Sequence, residues 1–279
     1  MRLPDFIGIG AEKCATTWLF RILREHPDLY LPRIKEVRFF DNEYYRGIEW
    51  YGKFFQGGAK AKFVGEISPQ YFHNPVCAKR IVETLPNIKL ILILRNPIDR
   101  AYSQYWMDVR GWKANGNAIP SFAEGIKIKP EYLKKGLYYD QLIVYLKLIP
   151  EDNILILFQE DIEKSPKDIC ANVYSFIGVD EKFVPVALLS KENVAADYKN
   201  PSIFRYSQKF VRLVERVGLE RAVIWAKNNG IRDWILKKME KPISCPQMDE
   251  ELRAKLREYY YDSNQKLSVL LGRNLSTWR

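Results

Sequence analysis

The sequence predicts an α/β fold of three layers, P-loop-like in type, with a central parallel sheet flanked by helices. Three observations carry that reading. Candidate strands at residues 6–9, 62–66, 90–94 and 154–158 are separated by helical segments. The first and third runs each end in a turn that opens a helix bearing basic and hydroxyl residues. No Pro/Gly/Ser-rich linker, internal repeat or low-complexity tract divides the 279 residues, so 1–279 reads as one domain.

Phe6, Ile7 and Ile9 make the apolar run of a buried parallel strand, and Gly8 and Gly10 are expected to let the chain turn tightly. Trp18, Leu19, Ile22 and Leu23 then recur at helical spacing. Residues 62–66 supply a second strand. Leu90 to Leu94 are apolar throughout, as in a strand covered on both faces, and Asn96–Pro97 starts a helix containing Arg100 and Ser103. Residues 107–135, with Gly111, Asn115, Gly116, Asn117 and Pro120, show weak periodicity and predict loop and short helix. That segment either shapes a cleft or is a passive surface excursion. Residues 154–158 give the fourth strand. Residues 193–245 become amphipathic and basic, with Phe210, Leu213, Val214 and Val217 at helical spacing before Gly218, and read as a helical cap or insertion.

The first turn has the makings of an anion site. Unpaired N–H groups at a helix start point at whatever lies above the turn, the helix dipole favours negative charge there, and Lys13, Thr16 and Thr17 add a cation and two hydroxyls. A Walker loop carries glycine directly before its lysine and Ser or Thr directly after, the hydroxyl holding magnesium. Here Glu12 precedes Lys13, while Cys14 and Ala15 follow it, so a metal-holding hydroxyl is misplaced. Taken alone, an ordinary strand–turn–helix explains the segment equally well. Arg95 changes the balance, because it stands at the carboxyl end of a strand, where open α/β sheets bind ligands, and its fork suits phosphate. Arg100 reads instead as a structural salt bridge. Two phosphate grips on neighbouring strand ends describe a nucleotide phosphorylated at two places.

On these residues the chain resembles the PAPS-dependent sulfotransferases, and among them the heparan-sulfate N- and O-sulfotransferase branch. Lys13, Thr16 and Thr17 match the family's Lys–x–x–Thr–Thr loop, and Arg95, Pro97, Arg100, Ala101, Ser103 and Tyr105 match its Arg–x–Pro–x–x–Arg–Ala–x–Ser–x–Tyr segment. Lys35, Glu36, Phe39 and Phe40 match Lys–Glu–x–x–Phe–Phe, with Gly47, Ile48, Trp50, Tyr51, Phe54 and Phe55 behind them. Gly136, Leu137, Tyr138, Glu160 and Asp161, then Leu252, Tyr259, Asn264, Leu267, Gly272, Arg273 and Trp278, follow the later pattern. One departure bears on the acceptor rather than the chemistry: Glu66, Ile67, Ser68 and Pro69 stand where heparan-type enzymes carry Glu–Lys–Ser/Thr–Pro, so the second lysine is missing.

The resemblance implies a sulfotransferase-type fold and a donor, 3′-phosphoadenosine 5′-phosphosulfate (PAPS), used without metal. The loop Lys13, Cys14, Ala15, Thr16, Thr17 and Trp18 would hold the 5′-phosphosulfate end, and Arg95 with Ser103 the 3′-phosphate. Sulfuryl transfer needs in-line attack and a stabilised anionic leaving group, so Lys13 would supply positive charge to the bridging oxygen. The product would be 3′-phosphoadenosine 5′-phosphate (PAP). Glu36 is then the general base that takes the acceptor's proton. On the residues alone it reads as a solvated charge paired with Lys35 or Arg38. The small-molecule branch uses histidine, and only His26 and His73 exist here. His26, before Pro27, reads as a surface or capping residue, and His73 is the second candidate for the base.

The expected acceptor is a hydroxyl, with an amine as second choice, of a carbohydrate or glycoconjugate. Alternatives are a lipid or secondary-metabolite hydroxyl, and in another class a P-loop nucleotide kinase or a non-catalytic nucleotide-binding protein. The 193–245 segment would lie on the acceptor side. Trp50, Tyr51, Trp106 and Trp112 could stack on sugar rings, though Trp50 and Tyr51 read better as core. The net charge of +10 calls for an anionic partner, but Lys and Arg alternate with Asp and Glu and no basic run appears, so nucleic acid is not expected. Cys14, Cys77, Cys170 and Cys245 form no metal-ligand pairs, and Cys14 at a helix start is expected to have a lowered thiol pKa. No apolar run approaches the roughly 20 residues that span a bilayer, so no membrane insertion is expected. With a strand beginning by Phe6, a cytoplasmic, bacterial enzyme is expected, unless the chain is an excised catalytic domain.

Overall fold

The computed structural model describes residues 1–189, 196–198, 240–242 and 245–278. Apart from Cys245 and two short strands, Ala196–Tyr198 and Glu240–Pro242, which pair antiparallel, the expected cap at 193–245 and its stripe of Phe210, Leu213, Val214 and Val217 lie outside the described residues.

A five-stranded parallel sheet forms the centre, built from β1 (Phe6–Gly10), β2 (Leu29–Tyr30), β3 (Phe63–Ile67), β4 (Lys89–Leu94) and β5 (Ile154–Phe158). The spatial order is β2-β3-β1-β4-β5, with every pair parallel, and helices flank it. All five residues of β1 are buried, and β4 is buried from Leu90 to Leu94, which is why both read as unbroken apolar runs. The strand that sequence does not reveal is β2, whose two residues carry no period.

Gly8 and Gly10 do not make the turn. Both lie inside β1, where an added Cβ would come within 2.4 Å of Ile67 Cδ1 at Gly8 and 2.6 Å of Phe72 Cβ at Gly10. They let β3 and the segment behind it pack against the strand backbone. The turn itself is made by Lys13 (φ 69°) and Ala15 (φ 51°), both left-handed, before α1 (Thr16–Glu25) begins.

The segment 107–135, expected to be loop and short helix, does contain two short helices, but it begins inside a long one. α2 (Gly47–Gly52) and α3 (Pro75–Thr84) precede it, and α4 runs over Pro97–Asn115. Asn96 caps α4 by accepting from the Ile98 N–H at 2.9 Å, Pro97 occupies the first turn, and Gly116 (φ 73°) ends it. Ile98, Ala101, Tyr105 and Val109 form the buried stripe that keeps it helical, a stripe obscured in sequence by the polar and glycine residues between and beyond them. α5 (Phe122–Ile128) follows with a Ser121–Glu124 capping box, then α6 (Glu131–Lys134) and α7 (Tyr138–Leu146). After β5 come α8 (Gln159–Lys164), α9 (Pro166–Ile177) and, near the end of the chain, α10 (Glu250–Leu270).

Two apolar clusters result, one around the sheet and a smaller one where α4, α5, α6 and α10 meet. Arg100, fully buried beside the second, has no carboxylate partner among the described residues: Nη1 donates to Gln104 Oε1 at 2.7 Å and Nη2 to the Tyr132 carbonyl. It is structural as expected, but held by neutral groups that tie α4 to α6.

The close approach at Gly8 makes a test. Gly8→Val should lower stability by about 1–3 kcal/mol through overpacking against Ile67, read as a shifted urea midpoint with unchanged slope.

Candidate active site

The carboxyl ends of β1, β3 and β4 converge on one surface. The Ala11 N–H donates to the Ile93 carbonyl at 2.8 Å, which stitches the loop after β1 to β4. α1 starts with no side chain capping its N–H groups, leaving them as donors to an anion. Thr16 is buried at that start, Thr17 is exposed, and Trp18 is half-buried against the core.

The two basic elements meet. Arg95 leaves the end of β4 and its Nη1 donates to the Lys13 carbonyl oxygen at 3.3 Å, while the Tyr138 hydroxyl donates to the Arg95 carbonyl at 3.0 Å. Ser103 sits half-buried two turns into α4. Behind the Arg95 turn, the Glu160 carboxylate accepts from the Asn96 N–H and from Trp278 Nε1, each at 3.0 Å, so the chain's last residues brace the turn. Asp161 and Arg273 form a two-point ion pair beside it, at 2.7 and 2.8 Å.

Met107 and Arg110, which sequence reasoning misses, complete the Lys13 surroundings. Lys13 Nζ approaches Met107 Sδ at 3.6 Å, and Arg110 adds positive charge nearby. Both stand at i+4 and i+7 from Ser103 on α4, a spacing that would reveal them once the helix is seen to continue. Burial first, then the Arg110 and Arg95 charges, bring the Lys13 ammonium down to about 8.

Glu36 stands on the opposite side of the loop. It adopts φ 70° and Arg38 φ 59°, a left-handed pair that non-glycine residues enter only under constraint. The constraint comes from β3: the Glu36 N–H donates to the Ile67 carbonyl at 2.9 Å, and the Arg38 N–H to Ser68 Oγ at 3.2 Å. Ser68 Oγ donates in turn to Glu66 at 2.8 Å, and Tyr51 and Tyr71 donate to the same buried carboxylate at 2.5 and 3.0 Å. Tyr51 is buried and stacked on Phe39 at 4.4 Å, and Trp50 packs on the core, so this aromatic segment supports the turn from inside. Trp106 and Trp112 are half-buried on α4.

The Glu36 carboxylate accepts from Lys35 Nζ at 2.9 Å and from Gln70 Nε2 at 2.8 Å. Burial pushes its pKa up, but the Lys35 charge and hydrogen bond, then Gln70 and Arg38, outweigh it and hold the group below its ordinary value. Of the two partners the residues alone suggest, Lys35 and Arg38, the hydrogen-bonded one is Lys35, while Arg38 pairs with Asp41. Lys35 Nζ also reaches Thr16 Oγ1 at 3.5 Å, so one ammonium spans the distance between the loop and Glu36. Ile67, in the place of the missing lysine, is fully buried.

His73 lies beside the loop, with Nδ1 3.6 Å from Glu12 Oε2, a carboxylate also held by Lys135. Burial and then the Lys135 charge lower His73 to about 4, so its ring is neutral. His26 is not at the surface: it is buried at the carboxyl end of α1, accepts from the Asp28 N–H at 3.2 Å, and donates from Nε2 to the Asp180 carbonyl at 3.1 Å. Among the described residues no group of three or more His, Cys, Asp or Glu side chains is placed to hold a metal ion.

Cys14 reverses the sequence expectation. It is fully buried, with its sulfur 3.8 Å from the Tyr138 hydroxyl, and burial raises the thiol to about 11. Cys77 and Cys170 are also buried, whereas Cys245 is half-exposed. An aromatic disulfide reagent should therefore label Cys245 alone in the native protein, and Cys245→Ser should leave the folded chain unreactive; rapid labelling of Cys14 would contradict its buried state.

Residues 3–267 match the family described as Sulfotransferase domain. Bifunctional heparan sulfate N-deacetylase/N-sulfotransferase 3 of Mus musculus is 29% identical over 299 aligned positions, covering 99% of this chain and 31% of the mouse protein. Membrane-associated sulfotransferase kil1 of Dictyostelium discoideum is 42% identical over 116 residues, 40% of this chain and 25% of that protein. The chain thus spans less than a third of the length of these curated relatives. The crystal structure of a sulfotransferase from Alicyclobacillus acidocaldarius shares the fold along both whole chains, with a TM-score of 0.71 at 24% identity. With the family match running over nearly its full length, the chain belongs to the sulfotransferase family, the PAPS-dependent enzymes that its two basic turns resemble.

Proposed function

We propose that this chain, as a single domain over residues 1–279, transfers a sulfuryl group from PAPS to a hydroxyl of a carbohydrate or glycoconjugate, with an amine as second choice. The observation that carries the reading is the Arg95 guanidinium on the Lys13 carbonyl, which makes one site of two anion-binding turns. The residues fit a donor charged at both ends. Lys13, Cys14, Ala15, Thr16, Thr17 and Trp18 form the 5′ cradle through α1 N–H groups, hydroxyls and the ammonium. Arg95 and Ser103 take the 3′-phosphate and hold PAP after transfer.

Lys13 stabilises charge on the bridging oxygen as the sulfur–oxygen bond breaks, and Glu36 accepts the proton that the attacking hydroxyl loses. Its ionised carboxylate, aimed by Gln70, suits that role. The saccharide acceptor is supported by the mouse relative, whose name gives heparan sulfate as its substrate and which aligns with nearly the whole chain. A cytoplasmic, bacterial setting belongs to the same proposal; among the described residues no helix is long and apolar enough to cross a membrane.

Lys13→Ala and Arg95→Ala should each weaken PAP binding by about tenfold or more, the scale of a lost charge-assisted hydrogen bond. Glu36→Gln should leave PAP affinity nearly intact and lower transfer about 100- to 10,000-fold. Melting-temperature shifts with PAP, ATP and ADP read the binding arm, since a ligand of the folded state raises its stability. Labelled-sulfate transfer reads the chemical arm, and an active Glu36→Gln would move the base to His73.

The lowered Lys13 ammonium adds a pH dependence. In the free protein it loses its charge as pH rises through about 8, so PAP affinity should fall by about tenfold between pH 7 and 9. Lys13→Gln should flatten that dependence, measured by calorimetric titration at several pH values, and a flat wild-type profile would remove Lys13 from donor binding.

A further inference from the structure

Lys35 is placed to do more than pair with its neighbour. Its side chain is four-fifths buried between two elements, with Nζ 2.9 Å from Glu36 Oε1 and 3.5 Å from Thr16 Oγ1. Thr16 begins α1, whose free N–H groups form the anion cradle, so the ammonium already lies at the edge of that cradle. Position 67 offers no cation, being a buried isoleucine. Glu36 at rest is doubly engaged, by Lys35 and Gln70, and a carboxylate so held is a poor proton acceptor.

Resting on the sulfotransferase reading, we propose that Lys35 is a catalytic cation that exchanges partners in each turnover, paired with Glu36 before the donor binds and moved onto the sulfuryl oxygens when the donor fills the Thr16 loop. The move has a physical cause. A phosphosulfate brings more negative charge to the edge of the cradle than Glu36 carries, and a lysine ammonium has three donors on a flexible stem. Its consequence is twofold: the sulfuryl group gains the positive charge that position 67 lacks, and Glu36 loses its direct ion pair while keeping the Gln70 hydrogen bond that aims it and the weaker Arg38 charge. In the transfer, the sulfur–oxygen bond to the 5′-phosphate breaks with its electron pair leaving on that phosphate, sulfur bonds to the acceptor oxygen, and the acceptor's proton passes to Glu36. The donor then acts as the switch that turns the base on.

The test compares Lys35→Gln, Lys35→Arg and Glu36→Gln with the wild type, all as the full chain and matched for melting temperature. PAP lacks the sulfuryl group, so affinities for PAP and for PAPS without acceptor isolate what Lys35 contributes there. Lys35→Gln should bind PAP within about threefold of wild type, bind PAPS about tenfold more weakly and transfer about 100-fold more slowly, with Lys35→Arg retaining more of both. Equal weakening towards PAP and PAPS would make Lys35 an ordinary phosphate ligand and overturn the proposal. An inactive Glu36→Gln beside a fully active Lys35→Gln would sink it while sparing the base assignment. An active Glu36→Gln would remove the base assignment and the partner exchange together.

Discussion

The contact between the Arg95 guanidinium and the Lys13 carbonyl depends on β1 and β4 being neighbours, and the rest of the site depends on it. Residues 82 positions apart in sequence share a surface only because the strand order places β1 between β3 and β4. The same order brings the end of β3 to the other flank of the loop, and with it the Glu36 turn, hydrogen-bonded to Ile67 and Ser68. A candidate anion cradle, a second basic grip and a candidate base thus hang from three adjacent strand ends, the place where open α/β sheets carry their ligands.

Holding those groups requires backbone that unfolded chains seldom adopt. Lys13, Ala15, Glu36 and Arg38 all have positive φ without being glycine. The Glu36–Arg38 turn lies on a buried polar support, and so does the Arg95 turn that contacts the Lys13 carbonyl. Beneath the Glu36 turn the Glu66 carboxylate gathers Tyr51, Tyr71 and Ser68, and behind the Arg95 turn Glu160 gathers Asn96 and Trp278. With three hydroxyl donors on one buried carboxylate, the Glu66 network fixes the turn above it more tightly than apolar packing would.

Sequence revealed the parts of this arrangement that repeat or run unbroken. The apolar runs at β1 and β4 are legible because those parallel strands are buried on both faces, and Lys13 and Arg95 are legible because they follow those runs. The Lys35–Glu36 pair is visible as adjacent charges, but not its reach to Thr16, which depends on how two distant segments fold together. Met107 and Arg110 stay hidden because Gly111 and the polar residues near Gly116 mask the end of α4. The strand glycines mislead: Gly8 and Gly10 look like turn residues, yet serve close packing against Ile67 and Phe72. Cys14 misleads for a related reason, since a helix start lowers a thiol's pKa only where solvent or a charge can reach it, and here burial dominates.

Glu66 carries one more implication. Burial lifts its carboxyl from an ordinary 4.5 to about 7, against the lowering effect of its three hydroxyl donors. A group that holds its proton more firmly when folded than when unfolded favours the folded state in acid. That contribution is complete below about 4.5 and fades as pH climbs through about 7. At this one position, mild acidity therefore tightens the floor under the Glu36 turn, the reverse of what ion-paired surface carboxylates do.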